Sequence, residues 1–293
     1  MLIDNLAKHA KENNINIYEI CQYHNGCYTR QIIHKANIRN NVYSVAKSVL
    51  SLITGILIEK EYLSISDTVA SLFPDSLTSK NGTMWKSVQL NHLLTHTTGF
   101  DRSFLDIDQT DVQCFPNDFL SSAFDVPLRY PPGEKMIYSD ANYYIISRIL
   151  SKITDCTVHS IAQKYLFGPM DIIGPAWATC PHGFSMGATG LYLTTTDMLK
   201  LGVLLLKNGC WNGTQLIPAR WINEILKERV RCDSSTFYGY GFWGATDSPS
   251  YWARGMLGQI IYVSPENQSV IAWQGCSDSP DDNTLFELLK NLQ

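Results

Sequence analysis

The stretch NVYSVAKSVLSLITGILIEK, residues 41–60, constrains the fold more than any other part of this 293-residue chain. It reads as a helix from about Ser44 to Lys60 that is apolar on nearly every face. Such a helix is buried on all sides, so other elements must surround it. Yet it carries Lys47 one turn from its start, and Ser44 lies three residues earlier on the same face. Burying an ammonium group costs several kcal/mol unless the group is paired or discharged.

Two readings of the pair stand side by side. A serine at a helix start is commonly a cap, a lysine can run its stem along apolar surface to water, and a lone Ser-x-x-Lys arises by chance in a chain of this length. Alternatively, burial lowers the lysine pKa and leaves a neutral amine able to take a proton. The helix N-terminus then favours negative charge developing on Ser44. A hydroxyl, an amine one turn away and a positive helix end make an activated nucleophile.

The rest of the sequence narrows the setting. Hydrophobic residues at 45% and charged residues at 17% suit an ordinary globular protein, large enough for one big domain or two intimate lobes. With 27 acidic and 23 basic residues the net charge is -4, which gives no electrostatic reason to expect nucleic acid or an anionic membrane as partner. The opening MLIDNLAKHAKENN has no apolar signal region and reads as an amphipathic helix. The longest apolar run is interrupted by Ser51, Thr54 and Gly55 and falls short of a membrane span. The eight cysteines form no Cys-x-x-Cys and no zinc spacing with histidine. The expectation is buried free thiols in a reducing cytoplasm, with no metal and no cofactor.

Element signals follow in a telling order. Two alternating runs flank Asn25-Gly26, a hairpin signal. A long middle is rich in helix signals, with Asp67 as a cap and QLNHLLTHTTGF as a helix ending at Gly99. ANYYIISRILSKIT, TVHSIAQKYLF, TTTDMLKLGVLLLKNG and IPARWINEILKE are helical in period. YGYGFWG and YWARGMLGQIIYVSPENQSVIAWQG read as strands, and a last helix closes the chain. The fold class expected is α/β (α+β). Residues 1–60 and 200–293 form an antiparallel sheet lobe flanked by terminal helices, and residues 61–199 form an inserted, mainly helical lobe. The cleft between lobes is where a site belongs.

GFSMG, residues 183–187, matches the nucleophile-elbow pattern around Ser185. Its lead-in is loop-like and its helix is postponed to about Thr195, so a glycine-rich loop is the better reading. Tyr138 is either a core aromatic or a phenol that relays a proton if cations lie nearby. Gly255 and Gly258 interrupt a strand pattern, which marks a close backbone approach. A free N–H there can face that of Ser44 and form an oxyanion hole.

Taken together, YSVAKSVLSL, LSISDTVASLFPD, LNHLLTHTTGF, PPGEKMIYSDANYYIIS, GATGLYLTTTDMLKLG, WNGTQLIP and GQIIYVSPENQSVIAW resemble the serine β-lactamase and penicillin-binding-protein superfamily, in its class C-like branch. That branch also holds esterases, D-amino-acid peptidases and 6-aminohexanoate-dimer hydrolase. The resemblance implies a β-lactamase/transpeptidase-like fold. It implies Ser44 as acylated nucleophile, Lys47 as its partner, Tyr138 as general base and acid, and the N–H groups of Ser44 and Met256 as oxyanion hole. Two positions depart from the pattern. Asp140 stands where β-lactamases have asparagine, and it either suits a substrate amino group or merely caps the helix that follows. Ala253-Arg254-Gly255 stands at the Lys-Thr-Gly position, so the lysine that helps bind a β-lactam carboxylate is missing. Arg254 replaces its charge only if it faces the cleft. His96 is expected to be structural, and Tyr240, Trp243 and Tyr251 to wall the cleft. The resulting expectation is a serine hydrolase of esters or amides acting on a small molecule or short peptide. A class C-like β-lactamase or DD-peptidase, and a catalytically silent binder, are the alternatives.

Overall fold

The two ends of the chain meet in one antiparallel sheet. In the computed structural model, which describes residues 2–34, 39–77, 82–108, 111, 114–276 and 282–292, the chain begins with helix α1 (Leu2–Glu12) and the hairpin β1 (Ile17–His24) and β2 (Cys27–Ile32). Asn25 and Gly26 turn the hairpin with φ of 47° and 88°, the backbone that an Asn-Gly turn favours. Strand β3 (Asn40–Asn41) leads into α2 (Val45–Glu59), and a mainly helical stretch follows: α3 (Val69–Leu72), α4 (Leu90–Leu94), α5 (Phe119–Phe124), α6 (Asp140–Thr154) and α7 (Val158–Ala162). Strands β4 (Ala176–Trp177) and β5 (Leu191–Leu193) precede α8 (Thr195–Leu206). The hairpin β6 (Cys210–Trp211) and β7 (Thr214–Gln215) then leads to α9 (Ala219–Ile225). The chain closes with β8 (Val230–Arg231), β9 (Thr236–Tyr238), β10 (Trp243–Ala245), β11 (Tyr251–Gly255), β12 (Gln259–Ser264), β13 (Ser269–Gly275) and α10 (Asp282–Leu292).

The main sheet runs β2-β1-β13-β12-β11-β10-β9-β8, so the first and last strands of the sequence are neighbours. Alternation along these strands gives the sheet two buried faces. On one, Ile3 and Leu6 of α1 and Leu285 and Phe286 of α10 pack on Trp252, Tyr262 and Trp273. On the other, Tyr251, Ala253, Ile261 and Val263 join the larger core built on α2, α6 and α8. Sequence periodicity identifies these elements because each has one face, or all faces, to bury.

Helix α2 is enclosed as its composition requires, with Lys47 only 1% exposed. Its hydroxyls reach outward to tie down its surroundings. Ser48 Oγ donates to the Gly241 carbonyl at 2.5 Å and Ser51 Oγ to that of Tyr240 at 2.7 Å. Trp221 of α9 lies flat where Gly55 leaves room, and its indole N–H donates to the Ser51 carbonyl at 2.9 Å.

The structure differs from the sequence expectations at several points. Helix α4 stops at Leu94 rather than Gly99, because the chain turns through His96 at a left-handed φ of 58°. Thr68, not Asp67, caps α3, accepting from Ser71 N at 3.1 Å, while Asp67 accepts from Ser64 N. A three-stranded sheet, β3-β5-β4, was not read from the sequence, since its strands are too short to show a period. All eight cysteines are unpaired, but only Cys21 and Cys180 are buried, so most are not the core thiols expected. Among the described residues no helix is long and apolar enough to cross a membrane.

A Cβ at Gly55 would stand 2.1 Å from the Trp221 ring. Gly55→Ala should therefore destabilise by about 1–3 kcal/mol through overpacking, despite the better helix propensity of alanine. Urea unfolding of the variant against wild type checks the sign.

Candidate active site

The site forms where α2 begins. Ser44 occupies the residue before α2 with φ -64° and ψ -8°, and its side chain makes no cap hydrogen bond. Its oxygen instead accepts a hydrogen bond from Lys47 Nζ at 2.8 Å. Lys47 does not reach water. Its ammonium also donates to Asp140 Oδ1 at 2.7 Å and to the Ala188 carbonyl at 3.1 Å. The Tyr138 phenol also hydrogen-bonds this ammonium, so none of its three N–H groups lacks an acceptor.

This pairing reverses the expectation of a lowered lysine pKa. Burial pulls the value down, but the Asp140 carboxylate and the Tyr138 phenol push it up, and the balance lies above the ordinary lysine value. Lys47 is held as a cation. Asp140 is the first residue of α6 rather than its cap; Ser139 takes the cap position. Its carboxylate meets the protein's own ammonium, which sequence reading did not foresee because the partners are 93 residues apart (140 − 47).

Tyr138 stands beside Lys47, whose Nζ lies 4.9 Å from the centre of the phenol ring. The ring is clamped between His96, at 4.2 Å, and Trp243, stacked at 6.1 Å. His96 is itself fully fixed. Its Nδ1 accepts from the Ser139 N–H at 3.2 Å and lies 3.0 Å from Asn142 Nδ2, so its proton sits on Nε2 facing the Tyr238 hydroxyl. Burial, and then the Lys47 charge, hold its pKa well below the ordinary value, so His96 is a neutral supporting ring. Of the expected cleft walls only Trp243 stands against Tyr138. Tyr240, in the turn between β9 and β10, stacks on Trp221, and Tyr251 of β11 packs inside the core against Phe242.

The edge of β11 completes the surroundings. A Cβ at Gly255 would come 2.2 Å from the Val42 carbonyl, two residues before Ser44, so only glycine allows this approach. The next residue, Met256, is partly exposed and begins the turn to β12. Arg254 does not face Ser44. It shares a face with Trp252, and its guanidinium lies 5.6 Å from the Phe286 ring of α10, on the terminal-helix side. Its expected role in gripping a substrate carboxylate is thus corrected by the register of the strand. Ala253, at the position of the missing lysine, is buried in the core.

Ser185 is fully buried, with its carbonyl accepting from Ser147 Oγ at 2.6 Å, as a structural glycine-rich loop requires. The same loop supplies Ala188, an acceptor for Lys47 that no side-chain motif could signal. Two further carboxylates were missed. Asp106 and Asp108 both feel Lys47 and Asp140, and burial raises the pKa of each. The Phe104 backbone N and O both bond the Ser139 hydroxyl at 2.9 Å. That fastens a cavity of about 340 Å³, lined by Phe104, Leu105, Asp106, Ile107, Phe115 and Pro116, to the Tyr138–Asp140 element. Among the described residues no cluster of His, Cys, Asp and Glu could hold a metal ion.

Comparison with known proteins identifies the family and the fold. The Beta-lactamase family model matches residues 28–285. The 6-aminohexanoate-dimer hydrolase of Paenarthrobacter ureafaciens is 23% identical over 159 residues, 49% of this chain and 40% of that protein. The chain spans about half the length, or less, of the curated relatives it matches. Among solved structures, the octameric penicillin-binding protein homologue from Pyrococcus abyssi superimposes with a TM-score of 0.79 at 16% identity, over 99% of this chain and 76% of that one. A D-stereospecific amidohydrolase from Streptomyces gives 0.79 at 14% identity, over 97% of both chains. At such identities these likenesses show the fold.

The buried charges set a pH dependence of stability. His96 stays neutral in the folded protein but protonates near pH 6.5 once unfolded, so stability should fall as pH drops below about 6.5. Lys47 has the opposite sign: its contribution is complete below the ordinary lysine value and is lost only as pH rises through its raised folded value. At pH 7 the Lys47 contribution is therefore intact. Lys47→Met leaves the Asp140 carboxylate buried and unpaired, with an expected loss of about 3–5 kcal/mol. Denaturant midpoints of wild type and His96→Asn at pH 5 and 7.5 check the histidine sign, and the deficit of Lys47→Met should persist at pH 7.5.

Proposed function

The chain belongs to the Beta-lactamase family, and we propose that within it this protein is a serine hydrolase that cleaves an ester or amide bond through an acyl-enzyme. One observation carries the reading: the hydroxyl of a half-buried serine lies 2.8 Å from a fully buried lysine that serves no cap and no surface. Ser44 attacks the carbonyl carbon. The lysine–tyrosine pair moves its proton, and the leaving group collects it from Tyr138. The oxyanion rests on the N–H groups of Ser44 and Met256, a role supported by the contact of Gly255 with the strand leading to Ser44. Water then releases the acyl group.

The charges around the site support esters and small amides over β-lactams. A β-lactam carboxylate would meet Ala253 where the family pattern has lysine, with Arg254 turned away. Asp140, Asp106 and Asp108 make the neighbourhood of Lys47 acidic rather than basic. Such surroundings suit neutral acyl groups or ones that carry an amine, as the relatives named for 6-aminohexanoate dimers and D-stereospecific amides also suggest. The cavity beside Phe104 offers room for an apolar group. A silent binding member has no need to keep Ser44, Lys47 and Tyr138 together.

Treatment with a fluorophosphonate probe should label Ser44, as located by mass spectrometry, and Ser44→Ala should abolish the adduct. Labelling at Ser185, or none, overturns the reading. Tyr138→Phe should lower kcat/KM for a p-nitrophenyl ester by about 10²- to 10⁴-fold. Nitrocefin should be turned over at least about 10- to 100-fold less efficiently than that ester, the value of a missing charge-assisted contact of about 1.5–3 kcal/mol.

A further inference from the structure

We propose that Gln259 is a positioning residue whose side-chain amide holds the turn between β11 and β12 in the shape that presents the Met256 N–H to the site. The inference rests on the hydrolase reading, in which that N–H receives the oxyanion, and it assigns what keeps the donor in place.

The turn needs holding. Gly255 and Gln259 form the last cross-strand pair of β11 and β12, so Met256, Leu257 and Gly258 alone reverse the chain. Leu257 does so at a φ of 58° and Gly258 at 85°. Glycine takes such a backbone freely. In leucine it brings Cβ close to the following carbonyl oxygen. A leucine in the left-handed region persists only where its surroundings impose that backbone.

Gln259 supplies the constraint. It is fully buried. Its Nε2 donates to the carbonyl of Leu257 itself at 3.2 Å, and to that of Gly275, the last residue of β13, at 2.8 Å. Both amide hydrogens are thus used. The flipped amide would set Oε1 against two carbonyl oxygens, so the acceptors fix its orientation. The strained residue is thereby tied to an interior strand of the main sheet. Gly275 lets the turn lie close, since a Cβ there would stand 3.1 Å from the Leu257 carbonyl oxygen. On the other side of Met256, a Cβ at Gly255 would meet the Val42 carbonyl at 2.2 Å and the Gln259 Cβ at 3.1 Å. Met256 is therefore bracketed. The residue before it is pressed between the Gln259 stem and the segment leading into Ser44, and the residue after it is clamped by the amide of the same side chain.

Stability alone is a poor reason for a glutamine here. Its Oε1 is buried and has no hydrogen-bond partner among the described residues, a cost that an apolar side chain of similar size avoids. What the apolar side chain lacks is the pair of donors that reach the turn and β13.

The test uses Gln259→Leu, which removes both donors, with two readouts. The first is p-nitrophenyl ester hydrolysis, with rates expressed per Ser44 site titrated to completion by a fluorophosphonate. The variant should lose at least about 10-fold in kcat while KM changes less than about 3-fold, because an oxyanion donor acts in the transition state rather than on the bound ester. A role in stability alone would lower the number of titrated sites and leave kcat per site intact. The second readout needs no turnover. In protein carrying ¹⁵N-labelled methionine, the Met256 amide resonance, assigned by Met256→Leu, should shift or broaden in Gln259→Leu. Those of Met170, Met186 and Met198, buried in the core, should stay in place. An unchanged kcat per site, a loss confined to KM, or an unmoved Met256 amide overturns the proposal. Should Gln259→Leu fail to fold, Gly275→Ala decides. Its added methyl presses on the Leu257 carbonyl, so it should move the Met256 amide and lower kcat per site, and no change in either overturns the proposal. Absence of a Ser44 adduct in wild type counts against the hydrolase reading, and the amide readout then decides alone whether Gln259 holds the turn.

Discussion

The contact between the Lys47 ammonium and the Asp140 carboxylate, 2.7 Å apart, is the interaction on which the site depends. At an effective dielectric near 20 the attraction is about 6 kcal/mol, while removing the two ions from water costs several kcal/mol each. The terms nearly cancel, so the pair is a weak source of stability. Its consequence is geometric. It clasps the first turn of α2 to the first turn of α6 and brings Ser44 and Tyr138 into one place. An apolar pair of similar size would close the same core without holding a charge there. The charge is therefore best understood through what it does to the serine and the phenol beside it.

The sheet and its helices are arranged to keep that clasp dry and rigid. Helix α2 has no face toward water, and its own hydroxyls fix the turn between β9 and β10 that carries Tyr240 and Gly241. His96 uses a strained left-handed backbone to place a neutral ring against Tyr138, tilted 34° to it. Gly255 lets β11 approach the segment before Ser44 more closely than any side chain would permit. Each of these features lies on a different element, and each packs against the segments that carry Ser44, Lys47 or Tyr138.

Much of this was legible in the sequence, for physical reasons that differ by residue. The burial of α2 followed from its uniform apolarity, and the long strands and terminal helices followed from their periods. The Asn25-Gly26 turn followed from backbone chemistry. What escaped was whatever depended on partners far apart in sequence. The lysine pKa was read from burial alone, and the carboxylate that reverses it lies on another helix. Arg254 was ambiguous because one strand has two faces, and only the docking of α10, which carries Phe286, chose between them. Ala188 contributes a main-chain carbonyl, which any residue at that position would also supply. The early end of α4 at Leu94 turned on a single left-handed residue rather than on a glycine.

The substitutions at Asp140 and Ala253 act in the same direction. One adds a negative charge beside Lys47, and the other leaves β11 without the positive charge that the family pattern has at position 253. Together they shift the local balance by two charges relative to the pattern the sequence resembles. Lys47 is neutralised by its partner and so cannot also serve as the counter-ion for an anionic substrate. A carboxylate-bearing ligand would then have to shed its water in a cleft that offers Asp106, Asp108 and Asp140 in return. An uncharged or amine-bearing acyl group meets no such cost. In the proposed hydrolase the same carboxylate that pairs with Lys47 would also disfavour carboxylate-bearing substrates.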